Sequence, residues 1–410
     1  MPGGLLTGLV LVLLATPALA LTSDETWARC KGDDVEAAIS ACTRLIQSGQ
    51  ASTADLTAAL VDRGIAYAQK RLYDEAIDDY TRAMTLAPDH TAAYVDRAKA
   101  YRAKGLYDQA IADDTKVLAL DPQHASAYVG RGIAYRHKAL YDQAIADYTK
   151  AIALTPDDST AYVDRGGAYT YKGLYDQAIA DYSKAIDLKP DDPAAYGGRA
   201  IAYAHKALYD QAIADDTKAI ALKPEDSSAY VTRAIAYRRK GLYDQAIEDY
   251  TKALALKPDT SEAYVDRGVA YSYKGLNDLA IADFTTAAAA RPDDATVYYD
   301  RAVVYLRKQL YEKAIADDAR VIALQPDNAK AYNNRAWAYL LMGDDARALS
   351  DANKALELTP EYANGLETRA EIREKLGRRE EAIADYRAAL TLQPDLKSAS
   401  DGLARLGVAP

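Results

Sequence analysis

The apolar and polar positions of this chain recur on one fixed rhythm. Ten prolines stand at 88, 122, 156, 190, 224, 258, 292, 326, 360 and 394, always 34 residues apart. Counted back with each proline as slot 32, ten units follow without insertion: 57–90, 91–124, 125–158, 159–192, 193–226, 227–260, 261–294, 295–328, 329–362 and 363–396. In 159–192, slots 4, 8 and 11 (Tyr162, Gly166, Tyr169) fall at helical spacing, as do slots 20, 24 and 27 (Ala178, Tyr182, Ala185). Gly173 separates the two runs, where a helix ends, and Pro190 stops the second. Asp191 and Asp192 precede the next helix as N-caps. Each unit is therefore predicted to be a helical hairpin with one apolar face. Two such helices cannot bury that face alone, so neighbours must stack.

Small residues set how closely the helices pack. Slot 20 is Ala from Ala76 to Ala382, and slot 8 is Gly or Ala throughout. Slot 11 is Tyr in nine units and Arg373 in the tenth, and its rings are expected to fill the gap beside the small contact. This explains the composition: 33 Tyr against one Phe and two Trp in 410 residues.

The pattern resembles the tetratricopeptide repeat: aromatic-x₂-Arg-Gly/Ala-x₂-Tyr, then Ala-x₃-aromatic, then Pro. It covers about 340 residues, the ten units of 34. The resemblance implies an all-α solenoid, a right-handed superhelix of helix-turn-helix repeats, with the first helices lining a concave surface. Two departures stand out. Slot 7, often Leu in the family, is Arg from Arg63 to Arg369, and slot 23 is Asp from Asp79 to Asp385. They are expected to form a repeated structural ion pair at the helix seam, Arg165 with Asp181 in the specimen unit, within one repeat or between neighbours. A ladder of ligand-binding arginines is the alternative. Slot 24 is Asp instead of aromatic at Asp114, Asp216 and Asp318, 102 residues apart, where each is placed to meet a Tyr hydroxyl.

The ends differ. Residues 1–20 carry no charge, with an apolar run from Leu5 to Ala15 and Ala18-Leu19-Ala20 as a small-x-small cleavage site. This reads as a secretory signal peptide without a basic start; an uncleaved anchor or a buried helix is the alternative. No lipid-attachment cysteine follows directly, and no other stretch is apolar enough to cross a membrane. Residues 21–56 lack the proline, yet Glu36 to Thr43 resembles a second helix of the repeat. They are expected to form an N-terminal capping hairpin, with Cys30 and Cys42 bridged in an oxidising compartment. Residues 397–410 should supply a short C-terminal capping helix, Lys397 to Leu406, and a frayed tail.

Chemistry is sparse. No nucleophile elbow, phosphate loop, H-E-x-x-H or dinucleotide fingerprint occurs. Histidines 90, 124, 137 and 205 lie too far apart to share a metal, so no metal, cofactor or enzyme activity is expected. The net charge of −10 argues against nucleic acid as partner. The resemblance points slots 2, 5, 9, 12 and 13 into the groove. Slot 5 is mostly Val (Val61, Val95, Val129, Val163, Val231, Val265), and slot 9 mostly Ile or Val (Ile65, Ile133, Ile201, Ile235, Val269, Val303). Slots 12 and 13 add Arg102, Arg136, His137, Tyr171, His205, Arg238, Arg239, Tyr273 and Arg307. Lys at slot 14 is left to the helix C-terminus that favours a cation. A family subclass clamps a C-terminal carboxylate with groove Lys and Asn. Slot 5 is never Lys here and slot 9 never Asn, and Asn333 with Asn334 does not rebuild that clamp. The expectation is a periplasmic or secreted scaffold that binds an acidic, apolar protein segment. An envelope adaptor contacting polysaccharide or cell-wall machinery is the alternative.

Overall fold

The computed structural model describes residues 23–409. The expected signal segment at 1–20 lies outside them. The described residues form twenty-three α-helices and no strand. They group into two compact units, one ending at Leu188 and one beginning at Lys189.

The first unit holds α1 (Ser23–Cys30), α2 (Val35–Gln47), α3 (Thr53–Gln69), α4 (Tyr73–Leu86), α5 (Thr91–Ala103), α6 (Tyr107–Leu120), α7 (Ala125–His137), α8 (Tyr141–Leu154), α9 (Ser159–Tyr171) and α10 (Tyr175–Leu188). The second holds α11 (Pro193–His205), α12 (Tyr209–Leu222), α13 (Ser227–Arg239), α14 (Tyr243–Leu256), α15 (Ser261–Tyr273), α16 (Asn277–Ala290), α17 (Ala295–Arg307), α18 (Tyr311–Leu324), α19 (Ala329–Met342), α20 (Asp345–Leu358), α21 (Ala363–Lys375), α22 (Arg379–Leu392) and α23 (Lys397–Arg405). From α3 to α22, each odd-numbered helix packs on the even-numbered helix that follows it.

The starts and stops follow from the residues between the apolar runs. Asp158 accepts a hydrogen bond from the Thr160 amide at the head of α9, and Asp226 caps α13 on Ser228 in the same way. Slot 15 turns the chain with a left-handed residue: Gly173 at φ 75°, but also Ala139 at 57°.

The helix seam corrects one expectation. The ring against the small slot 8 belongs to slot 24, not slot 11. A Cβ on Gly132 would lie 2.7 Å from the Tyr148 ring, and one on Gly268 would lie 2.9 Å from Phe284. Tyr148 is fully buried, which contributes roughly 2–3 kcal/mol by area. The slot 11 rings lie instead beside the slot 7 guanidinium, Tyr169 at 5.8 Å from that of Arg165 and Tyr162 of slot 4 at 5.7 Å.

Every slot 7 arginine meets the slot 23 aspartate of its own repeat. Arg165 Nε donates to Asp181 Oδ2 at 2.7 Å and Nη2 to Oδ1 at 2.8 Å, a bidentate pair with Asp181 buried. The remaining nitrogen ties neighbours together: Nη1 donates to Thr149 Oγ1 of the preceding second helix at 3.0 Å. The same triple contact recurs at Arg97, Arg131, Arg233, Arg267 and Arg301.

The slot 24 aspartates find no tyrosine. Asp114 accepts from Arg102 Nη1 at 2.6 Å. Asp216 and Asp318 are fully buried with both carboxyl oxygens unpaired. Slot 12 explains the difference, because it is Arg102 beside Asp114 but Ala204 and Leu306 beside the other two.

At the N-terminus a disulfide joins Cys30 of α1 to Cys42 of α2, with Cα atoms 4.8 Å apart. At the other end Gly402 of α23 sits on the Tyr386 ring, where a Cβ would come within 2.4 Å.

Three outcomes follow. Arg165→Ala leaves Asp181 buried and unpaired, so it should destabilise the first unit by roughly 3 kcal/mol; an unchanged thermal melt contradicts this. Reducing the Cys30–Cys42 bridge should lower stability by ~2–3 kcal/mol, read as a lower Tm in reductant and a gain of two free thiols by intact mass. The third concerns pH. Burial pushes the Asp216 carboxyl up to about 9, opposed by Arg233 and reinforced by Asp215 and Asp249, and pushes Asp318 up to about 8. Unfolded, both return to the ordinary value of 3.8. Between those limits the folded chain holds the extra protons, so their contribution to stability is full below the unfolded value and is lost as pH rises. Asp216→Asn should raise Tm near about pH 8 and flatten the alkaline decline; an identical decline in the variant refutes the assignment.

Candidate functional site

The first helices present slots 5 and 9 on one face. Val61 and Val95 are buried, Val129, Val163, Val231 and Val265 half-buried, and Ile65 and Ile201 exposed. In the first unit this face opens as a cleft of about 450 Å³, lined by Val129, Gly130 and Ile133 of α7 together with Arg102, Asp157 and Asp158.

The arginines of slot 12 do not stand free in it. Arg102 is held by Asp114, and its side chain is only 15% exposed. Arg238 Nη2 donates to Asp266 Oδ1 at 3.1 Å, and Arg136 lies 4.0 Å from Asp164. Asp114 is slot 24 of the same repeat as Arg102, whereas the partners of Arg136 and Arg238 are acids of slot 6 in the following repeat. That column reads Asp62, Asp96, Asp164, Asp266 and Asp300, and it shares a helix face with slots 9 and 13. The slot 6 acids are plain in the sequence, but their meeting with slot 12 is set by how neighbouring repeats stack. Burial holds the Asp164 and Asp266 carboxyls above the usual carboxylate range, and the arginines oppose it.

Slot 13 forms the outer rim. His137 stacks on Tyr107 of the preceding repeat at 4.7 Å, Tyr171 on Tyr141 at 5.4 Å, and Tyr273 on Tyr243 at 5.1 Å, all within 5° of parallel. Tyr171 and Tyr273 remain 65% exposed. Burial and Arg136 hold the His137 pKa below its ordinary value. His205 and Arg239 are exposed at the same slot, and Arg307 Nη1 donates to Ser272 Oγ at 2.7 Å. The slot 14 lysines do more than face a helix end. Most reach an aspartate at the start of the preceding second helix, Lys172 to Asp142 at 2.5 Å and likewise Lys104 to Asp74, Lys138 to Asp108 and Lys274 to Asp244, while Lys70 reaches Glu36.

A second cleft, of about 420 Å³, lies near the end of the second unit and was not anticipated. Trp337, Leu340 and Leu341 of α19 face Glu371, Glu374 and Lys375 of α21, with Arg405 of α23 at its edge. Slots 12 and 13 are the apolar Leu340 and Leu341 in α19, and Glu374 and Lys375 in α21. Glu374 accepts from Arg405 at 3.0 Å and from the Tyr386 hydroxyl at 2.8 Å, while Lys375 pairs with Asp345 at 2.8 Å. Glu371 has no hydrogen bond or ion pair among the described residues. Burial raises its pKa, helped by Glu367 and opposed by Arg405. Among the described residues no three His, Cys, Asp or Glu side chains are grouped to hold a metal.

Comparison with known proteins agrees with this architecture. Family models of the tetratricopeptide repeat match residues 61–123, 95–159, 265–329, 329–362 and 363–396, and a TPR repeat model matches 166–206 and 235–275. By sequence, no curated protein matches. Among solved structures, a tetratricopeptide repeat protein from Parabacteroides merdae is 21% identical, with a TM-score of 0.50 over 60% of this chain and 98% of its own. The C-terminal part of a TPR repeat-containing protein from Cytophaga hutchinsonii is 24% identical, with a TM-score of 0.49 over 59% and 99%. The APC/C hetero-tetramer Cut9–Hcn1 is 17% identical, with a TM-score of 0.48 over 93% and 88%. With repeat matches across most of its length and the helical pairs that the repeat requires, the chain belongs to the tetratricopeptide repeat family.

Proposed function

We propose that the chain is a non-enzymatic scaffold of the cell envelope that holds an acidic, apolar segment of another protein on the face of its first helices. Tetratricopeptide repeat proteins are generally protein-interaction scaffolds. The observation that carries the reading is the Val and Ile row of the first helices, with its cleft at Val129 and Ile133. Apolar area of this kind is covered by a partner's apolar side chains. The exposed cation Arg239, together with Arg307 on the rim, draws acidic residues of that segment. Arg102, Arg136 and Arg238 serve mainly to hold their own aspartates.

In this reading residues 1–20 are a secretory signal, 21–56 and 397–410 cap the array, and 57–396 are ten repeats. The Cys30–Cys42 bridge suits an oxidising compartment. Among the described residues no helix is long and apolar enough to cross a membrane. The exposed tyrosines at 171 and 273 also support the second reading, contact with envelope polysaccharide, since sugar faces stack on such rings.

The test is a photo-crosslinking residue at Tyr171, with one at Lys150 on an outer second helix as control, exposed to envelope extract. Cross-linking of a discrete protein from position 171 and not from 150 is expected. Equal products from both positions reject the face, and glycan products alone favour the second reading.

A further inference from the structure

The cleft at the end of the second unit differs from the rest of the first-helix face in what it lacks. Elsewhere, where slot 12 is Arg, the acid beside it has a built-in cation, Asp114 from Arg102 and Asp266 from Arg238, while the unpaired Asp216 and Asp318 are fully buried. Inside this cleft Glu374 has Arg405, and Lys375 has Asp345. Glu371 alone has none among the described residues. It stands across from Trp337, one of two tryptophans in the chain, with Leu340 and the exposed Leu341 completing the apolar wall.

Half-buried carboxylate, indole and apolar wall together match one kind of side chain. A guanidinium lays its flat face on an indole while its N–H fork meets a carboxylate, and its methylene stem covers apolar surface. We infer that the Trp337–Glu371 cleft binds an arginine side chain of the partner segment and so fixes the register of that segment on the second unit. This rests on the proposed use of the first-helix face and adds to it the one basic residue that an acidic, apolar segment must carry. The desolvated carboxyl, lifted by its acidic neighbours Glu367 and Glu374, is a group that an incoming cation relieves.

The probes are three short acidic, leucine-rich peptides that differ only at the central residue, Arg, Gln or Glu. Binding is read by fluorescence of Trp337 in a Trp27→Phe chain, and by calorimetry on the unaltered chain should that substitution disturb folding. The Arg peptide should bind about tenfold tighter than the Gln peptide, the scale of a charged hydrogen bond. Glu371→Gln should erase that preference and leave the Gln peptide's affinity unchanged. The inference is overturned by equal binding of the Arg and Gln peptides, or by a preference that survives Glu371→Gln. If the Gln peptide still binds in that case, the use of the face stands without it. If no peptide binds by either method, both readings fall together.

Discussion

A guanidinium at slot 7 organises each repeat. Its Nε and Nη2 are spent on the buried aspartate of the same hairpin, and Nη1 on a hydroxyl of the hairpin before. Tyrosines of slots 4 and 11 lie close beside it. Three helices therefore meet at one rigid, planar group that cannot lose its charge. Net stabilisation from such a pair is small after desolvation, but a misplaced helix strands a buried aspartate at a cost of several kcal/mol. The pair thus acts on register more than on stability. Two outer contacts repeat the linkage at the rim: the slot 14 lysine and the slot 13 ring both reach back to the preceding second helix. Stability is passed from neighbour to neighbour, as expected of a quasi-linear array.

The hairpins, their turns, the Arg–Asp slots and the cysteine pair were readable in the sequence because each repeats or stands alone. Two of the corrections have a common source. Tyr169 and Tyr182 occupy equally regular helical positions, so spacing cannot say which ring faces Gly166 and which faces Arg165. Likewise Arg238 meets Asp266 across a repeat boundary, 28 residues away, where helix periodicity carries no information. A pattern of period 3.6 fixes which residues share a helix face; it does not fix what the next helix brings against that face.

The slot 12 pairs also recast the electrostatics. An acidic chain with a basic ridge in its groove looks like a device for long-range attraction. Once Arg102, Arg136 and Arg238 are matched with Asp114, Asp164 and Asp266, little unbalanced positive charge remains there. Screened charges on a solvated rim then act over about 10 Å at most. Recognition falls to apolar contact and to the few groups with no internal partner.

Regularity and specificity are divided between different slots. Slots 7, 20 and 23 do not vary, because a change there breaks the seam that every neighbour shares. Slots 12 and 13 vary from Arg, His and Tyr to Leu and Glu, since they sit at the end of a first helix where only the rim depends on them. A ten-fold repeated surface can hold a segment but cannot say which way it runs or where it starts. That information has to come from a place where the repetition fails. Trp337, Leu340, Leu341 and Glu371 are such a place: the fold stays that of every other repeat while the side chains on its binding face change character.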